Sequence, residues 1–190
     1  SDPDTRLLLR RLVQATLAVF ASGAVQAAEL NDHEQLARDL FEQLIEINTT
    51  HSQGDNTQAA RAIEARLLAA GFPPEDVQVI VPAERKGNIV ARLRSPAPTA
   101  RPILLLAHLD VVEASPWDWT VHPFKFLERD GYFYGRGTTD DKDEAAIYTA
   151  NMIRMKQEGY RPSRDIIMAL TADEEGGTHN GVEYLLAHHR

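Results

Sequence analysis

At 190 residues the chain is long enough for one domain with a core of its own. With 43% hydrophobic and 25% charged residues it reads as globular, and its net charge of -8 argues against a general nucleic-acid binder, which needs a basic face. Cysteine is absent, which excludes a disulfide framework and a thiolate metal site, so any metal must be held by His, Asp or Glu.

Arg6, Arg10 and Arg11 precede the apolar stretch "LVQATLAVFASGA", and "AVQA", ending at Ala27, has the small-residue pattern of a signal-peptidase site. The apolar run is too short to cross a membrane. Residues 1–27 are therefore expected to be an export signal, with or without a leading remnant. The protein would then be periplasmic or secreted, without a stable membrane span once the signal is removed. The plainer alternative is an amphipathic N-terminal helix. The folded domain is expected over residues 28–190.

Asn31 can cap a helix in which Leu36, Leu40, Phe41 and Leu44 recur on one face. After a polar loop, a second helix is predicted around residues 58–70, ending at Gly71. "DVQVIVP" and "GNIVARL" read as strands, and "PILLLAHLDVV" as a central strand covered on both faces. "FKFLERDGYFYG" predicts a hairpin turning at Asp130-Gly131. A helix follows over residues 142–158, with Met152 and Met155 as core packing, then the apolar strand "RDIIMALTA" and a helix beginning in "THNGVEYLLAHH". Strands alternating with helices indicate an α/β fold with a largely parallel sheet.

Catalytic groups of open α/β sheets gather beyond the carboxyl ends of strands, and three polar clusters fall there. In "AHLD", His108 is a potential ligand, and the Asp110 carboxylate could accept its other ring N–H. Taken alone, so short a pattern more often marks a histidine at the edge of the core. In "GRGTTDDKD", Asp140 and Asp141 sit where a helix N-terminus favours negative charge, so a simple cap explains them equally well. "TADEEGG" crowds Asp173, Glu174 and Glu175 between an apolar strand and two glycines. A His, an Asp and a Glu at three strand ends of one sheet make a metal site, and carboxylate bridging suits a pair of divalent ions. Trp117, Trp119 and Phe124 could line a cleft or pack a surface excursion. His33, His51, His122, His188 and His189 read as surface or structural residues, and His179 as part of a helix start.

"LLLAHLDVV", a Trp and "PF", "DGYFYGRGTTDDK" and "TADEEGG", in this order, resemble the co-catalytic zinc peptidases. That family includes aminoacylase, glutamate carboxypeptidase, carnosine dipeptidase and succinyl-diaminopimelate desuccinylase. The resemblance covers roughly residues 31–190 and implies the N-terminal part of a three-layer αβα catalytic domain with a mostly parallel sheet, without the family's lid domain. It implies two Zn2+ ions, with Co2+ or Mn2+ as alternatives. His108 would bind one ion, Asp140 would bridge both, and Glu175 would bind the other. Asp110 would orient His108, and Glu174 would be the general base. A cis peptide bond at Asp140–Asp141 is also implied.

The activity implied is hydrolysis of an amide bond in a dipeptide, a peptide C-terminus or an N-acyl amino acid. The alternative is a non-catalytic metal- or peptide-binding fragment of the same fold. Family members continue past the equivalent of Arg190 and supply one further ligand to each zinc and a lid through which dimers form. The isolated chain is therefore expected to bind metal weakly, with little or no activity. Asp143 stands where relatives usually have Gly, and its carboxylate is expected to face solvent.

Overall fold

The structure is a computed structural model and describes residues 29–189. The expected export signal over residues 1–27 lies outside the described residues.

Helix α1 (Asp32–Glu46) begins in a full capping box: the Asn31 side chain accepts the backbone N–H groups of His33 and Glu34, and the Glu34 carboxylate accepts the Asn31 N–H. Its buried stripe is Leu40, Phe41, Leu44 and Ile45. Helix α2 (Asn56–Ala69) starts earlier than the pattern suggested, because the Asp55 carboxylate caps it by accepting from Thr57 and Gln58. Gly71 follows its end with φ +92°.

Strands β1 (Val77–Ile80), β2 (Asn88–Leu93) and β3 (Ile103–His108) come next, then the small hairpin β4 (Leu127–Arg129) and β5 (Tyr132–Tyr134). Asp130 and Gly131 turn that hairpin at φ 55° and 80°, the paired positive values of a tight turn that matches strand twist. Phe126 and Phe133 of the hairpin pack against Phe41 of α1. Helix α3 (Lys142–Gln157), strand β6 (Ile166–Thr171) and helix α4 (Gly181–His188) complete the described chain.

The four-stranded sheet has the order β1-β2-β6-β3. It is mixed rather than mostly parallel: β3 and β6 run parallel, while β1 pairs antiparallel with β2 and β2 antiparallel with β6. The connection between β1 and β2 is too short for the crossover that a parallel pair requires, so the two form a hairpin-like pair. On one face α2 packs on β1 and β2, α3 packs on β3 and β6, and α1 packs on α3. The core lies here, with Ile63, Leu67, Ile89, Ala91, Met152, Met168 and Leu170 buried. On the other face Val182, Leu185 and Leu186 of α4 line an apolar groove with Leu104, Leu106, Ile167 and Ala169.

The αβα layering is therefore present, with α4 as the third layer among the described residues. The apolar pattern of β3 predicts a central strand covered on both faces. Among the described residues it is an edge strand, because β6 is its one partner, and Ile103, Leu104 and Leu106 are exposed.

Candidate metal centre

The parallel β3–β6 pair sets the site. Its register places His108 opposite Thr171, and the Leu109 N–H extends the ladder to the Thr171 carbonyl at 2.7 Å. Both chains therefore leave the sheet at the same edge, one into "LD" and the other into "ADEEGG". The third cluster arrives on the loop before α3. Gly137 (φ +88°) turns that loop, and its carbonyl accepts the Lys142 N–H at 3.1 Å.

His108, Asp140 and Glu175 converge, each offering one ligand atom, with all three atoms within 4.8 Å of one another. His108 Nε2 stands 2.9 Å from Asp140 Oδ1 and 3.7 Å from Glu174 Oε2. His108 is buried, whereas Asp140 and both glutamates are exposed, so one fixed nitrogen faces a set of open carboxylates. The Asp140–Asp141 peptide is cis, as the resemblance implies. Asp141 stands at the N-cap of α3 without a side-chain capping bond. Its Oδ2 instead accepts the backbone N–H of His108 at 3.2 Å, tying the α3 loop to the end of β3.

Asp110 does more than orient the imidazole. The nearest acceptor for His108 Nδ1 is the Asp110 backbone carbonyl at 3.0 Å, and the Asp110 carboxylate lies farther off at 3.5 Å. The carboxylate is engaged elsewhere: Oδ1 accepts the Glu174 N–H at 3.1 Å and Oδ2 the Glu175 N–H at 3.0 Å. Asp110 thus braces the backbone of the glutamate turn directly.

The charges respond to this arrangement. Burial alone would lower the pKa of His108, but the Asp110 carboxylate and carbonyl, with Asp140, outweigh it and raise it to about 9. Burial likewise pushes Asp110 up, and its bonds from His108 and from the Glu174 and Glu175 N–H groups bring it below the usual carboxylate range. Glu175 is raised by burial and by the neighbouring Asp140 charge, only partly opposed by His108. A cluster that holds a proton on its imidazole and strains against its own negative charge is suited to a cation.

Two features escaped sequence reasoning. Lys142 is 0% exposed, and its Nζ donates to the carbonyls of Leu44 (2.7 Å) and Ile47 (2.8 Å), closing the C-terminal end of α1. Burial lowers its pKa to about 7 despite the pull of Asp110. Asp173, Lys86 and His51 form a second cluster behind the turn. "DDK" and "DEE" flag these residues as charged, but nothing local names their partners. Asp143 meets its expectation only in part: the residue is half-buried, and its Oδ1 is shielded from solvent with no hydrogen-bond partner among the described residues.

Trp119 packs under the Arg136 guanidinium at 5.1 Å, and Trp117 is 94% exposed. Phe124 lines a cavity of about 230 Å³ with Asn48, Ser52 and Glu113. His179 precedes α4, where its backbone N–H donates to Asp173.

The chain is also similar in sequence and fold to known proteins. Residues 104–190 match the family described as Peptidase family M20/M25/M40. Over 160 residues the chain is 34% identical to aminoacylase-1 of Sus scrofa, covering 83% of this chain and 38% of that protein. Over 85 residues it is 42% identical to the N-fatty-acyl-amino acid synthase/hydrolase PM20D1 of Xenopus tropicalis, covering 45% of this chain and 17% of that protein. In fold it resembles the crystal structure of human carnosine dipeptidase 1, with a TM-score of 0.65 at 21% identity, covering 80% of this chain and 35% of that one. The chain thus spans well under half the length of each of these three proteins. Its ordered motifs and the match over residues 104–190 make the chain similar to the Peptidase M20/M25/M40 family, and the structural likeness agrees in fold.

Proposed function

We propose that the chain forms part of a metal-dependent hydrolase that cleaves an amide bond in a dipeptide, a peptide C-terminus or an N-acyl amino acid. The observation that carries this reading is the convergence of His108, Asp140 and Glu175 within 4.8 Å, with Glu174 beside the same imidazole nitrogen. The relatives named as an aminoacylase, an N-fatty-acyl-amino acid synthase/hydrolase and a dipeptidase motivate the substrate class.

The donor set fits the metal. One imidazole nitrogen and carboxylate oxygens, without sulfur, suit zinc and also admit cobalt or manganese. In a two-zinc form His108, Asp140 and Glu175 would hold the ions. When bound, the ions polarise the scissile carbonyl and make a water more acidic.

The remaining steps belong to the chain's own residues. Nδ1–H of His108 donates to the Asp110 carbonyl, which leaves Nε2 free as the ligand atom. Asp110 holds the backbone of Glu174 and Glu175, so both side chains start from fixed positions. The Glu174 carboxylate takes a proton from the attacking water and returns it to the leaving amine nitrogen, so no net proton is consumed. Its exposure leaves it free to meet substrate, whereas a buried carboxylate would be committed elsewhere.

Glu174→Gln in the natural protein tests this assignment. Hydrolysis should fall by about 10²–10⁴-fold while the bound metal stays the same. Unchanged turnover would remove the proposed base. We further propose export to the periplasm or beyond, supported by the arginines and the small-residue pattern of residues 6–27. Cell fractionation that left the uncut protein in the cytoplasm would refute it.

A further inference from the structure

Asp173 has no part in the chemistry above, yet it is only 2% exposed and takes a left-handed backbone, φ +57°, in the turn that leads to both glutamates. Its carboxylate is enclosed. Oδ1 accepts from Lys86 Nζ at 2.6 Å, and Oδ2 accepts the His179 N–H at 3.2 Å. Gly177 lies so close that a Cβ there would stand 2.3 Å from Oδ2, so the turn admits no side chain at that position. Asn180 Nδ2 donates to the Asp173 carbonyl at 3.2 Å.

Lys86 is buried too, and its Nζ also lies 3.2 Å from His51 Nδ1. It comes from the loop before β2, which is itself fastened to α2. The Arg85 carbonyl accepts the Asn56 N–H at 3.0 Å, and Gly87 is pressed against Thr57.

We propose that Lys86 is a positioning residue: through its buried ion pair with Asp173 it fixes the turn carrying Glu174 and Glu175, and so sets the metal affinity of the centre. This rests on the metal reading above. A buried ion pair adds little net stability, because desolvation offsets most of the attraction. A short charge-assisted bond does impose direction. The turn then has two tethers, Lys86 on the side chain of Asp173 and Asp110 on the backbone of the next two residues. Among the described residues no hydrogen bond holds the Glu175 carboxylate, so its place depends on these tethers.

The test uses the natural protein and three readouts: zinc affinity by chelator competition, the visible spectrum of the Co2+ form, and thermal melting in chelator. The double variant Lys86→Met/Asp173→Asn removes both charges and leaves neither buried alone. It should melt within a few degrees of the wild type, bind zinc at least tenfold more weakly and shift the Co2+ bands. Unchanged zinc affinity would overturn the proposal, whether the melt is lowered or not, because a purely structural pair predicts that result.

Should the double variant fail to fold, Lys86→Arg decides. It keeps the charge, but its planar head cannot occupy the ammonium's place between Asp173 and His51. A shifted Co2+ spectrum supports the proposal, and an unchanged one overturns it. A wild-type protein that binds no divalent metal would overturn the metal reading itself, and this inference with it.

Discussion

Replacing Lys142 with methionine should change how stability responds to pH. In the folded chain burial lowers the Lys142 pKa to about 7 from 10.5. Between those values the unfolded chain binds a proton that the folded chain does not, so this group makes stability rise with pH. From pH 7 to pH 9 the gain is about 2 kcal/mol, at about 1.4 kcal/mol per unit. His108 acts the other way. Its pKa is raised from 6.5 to about 9, so its contribution is complete below 6.5 and is lost as pH rises through 9. That loss over the same interval is also about 2 kcal/mol.

In the metal-free wild type the two slopes nearly cancel. In Lys142→Met the His108 slope stands alone, and stability should fall by about 2 kcal/mol from pH 7 to pH 9. The offset at pH 7 is less informative. The carbonyls of Leu44 and Ile47 lose their donor at about 1–3 kcal/mol each, against about 4 kcal/mol recovered by no longer burying an ammonium. Urea unfolding in chelator at pH 7, 8 and 9 measures both proteins. Parallel pH profiles for wild type and variant would refute the buried-lysine account.

Metal binding should release about one proton from His108, so apparent zinc affinity should rise about tenfold per unit between pH 7 and its pKa of about 9. Calorimetry in buffers of different ionisation enthalpy measures this directly, and no proton release would contradict it. Glu175→Gln should weaken zinc binding by at least about tenfold, read by chelator competition, because a neutral amide is a poor ligand. Asp110→Asn presents one donor where two backbone N–H groups need acceptors. It should lower both metal affinity and melting temperature, and a loss of activity with neither change would assign Asp110 a different role. Asn31→Ala removes the capping box of α1 and should cost about 1 kcal/mol in urea unfolding, with metal affinity unaltered.

What could be read from the sequence is what local chemistry dictates. Asn31 before an apolar period gave the start of α1, and Asp130-Gly131 gave the hairpin. The three polar clusters could be assigned to one sheet edge because each follows or precedes a recognisable element, and the structure brings His108, Asp140 and Glu175 together there. What could not be read is long-range pairing. Lys86 and Asp173 lie 87 positions apart, and Lys142 reaches carbonyls 98 and 95 positions away that carry no side-chain signature. Charge in the sequence points to the surface, so a lysine closing a helix end in the core looks like any other lysine. The apolar run of β3 predicts burial on both faces, but apolar character does not say which neighbour provides the cover. Among the described residues one side of β3 has no strand beside it.

The most direct test of the account is hydrolysis by the natural protein of matched N-acyl amino acids and dipeptides before chelation, after chelation and after zinc is restored. The account predicts cleavage at the amide bond, loss of activity on metal removal and its return with zinc, in proportion to metal bound at His108, Asp140 and Glu175. Cleavage that survives complete metal removal, or metal that binds equally well after all three residues are replaced, would contradict it.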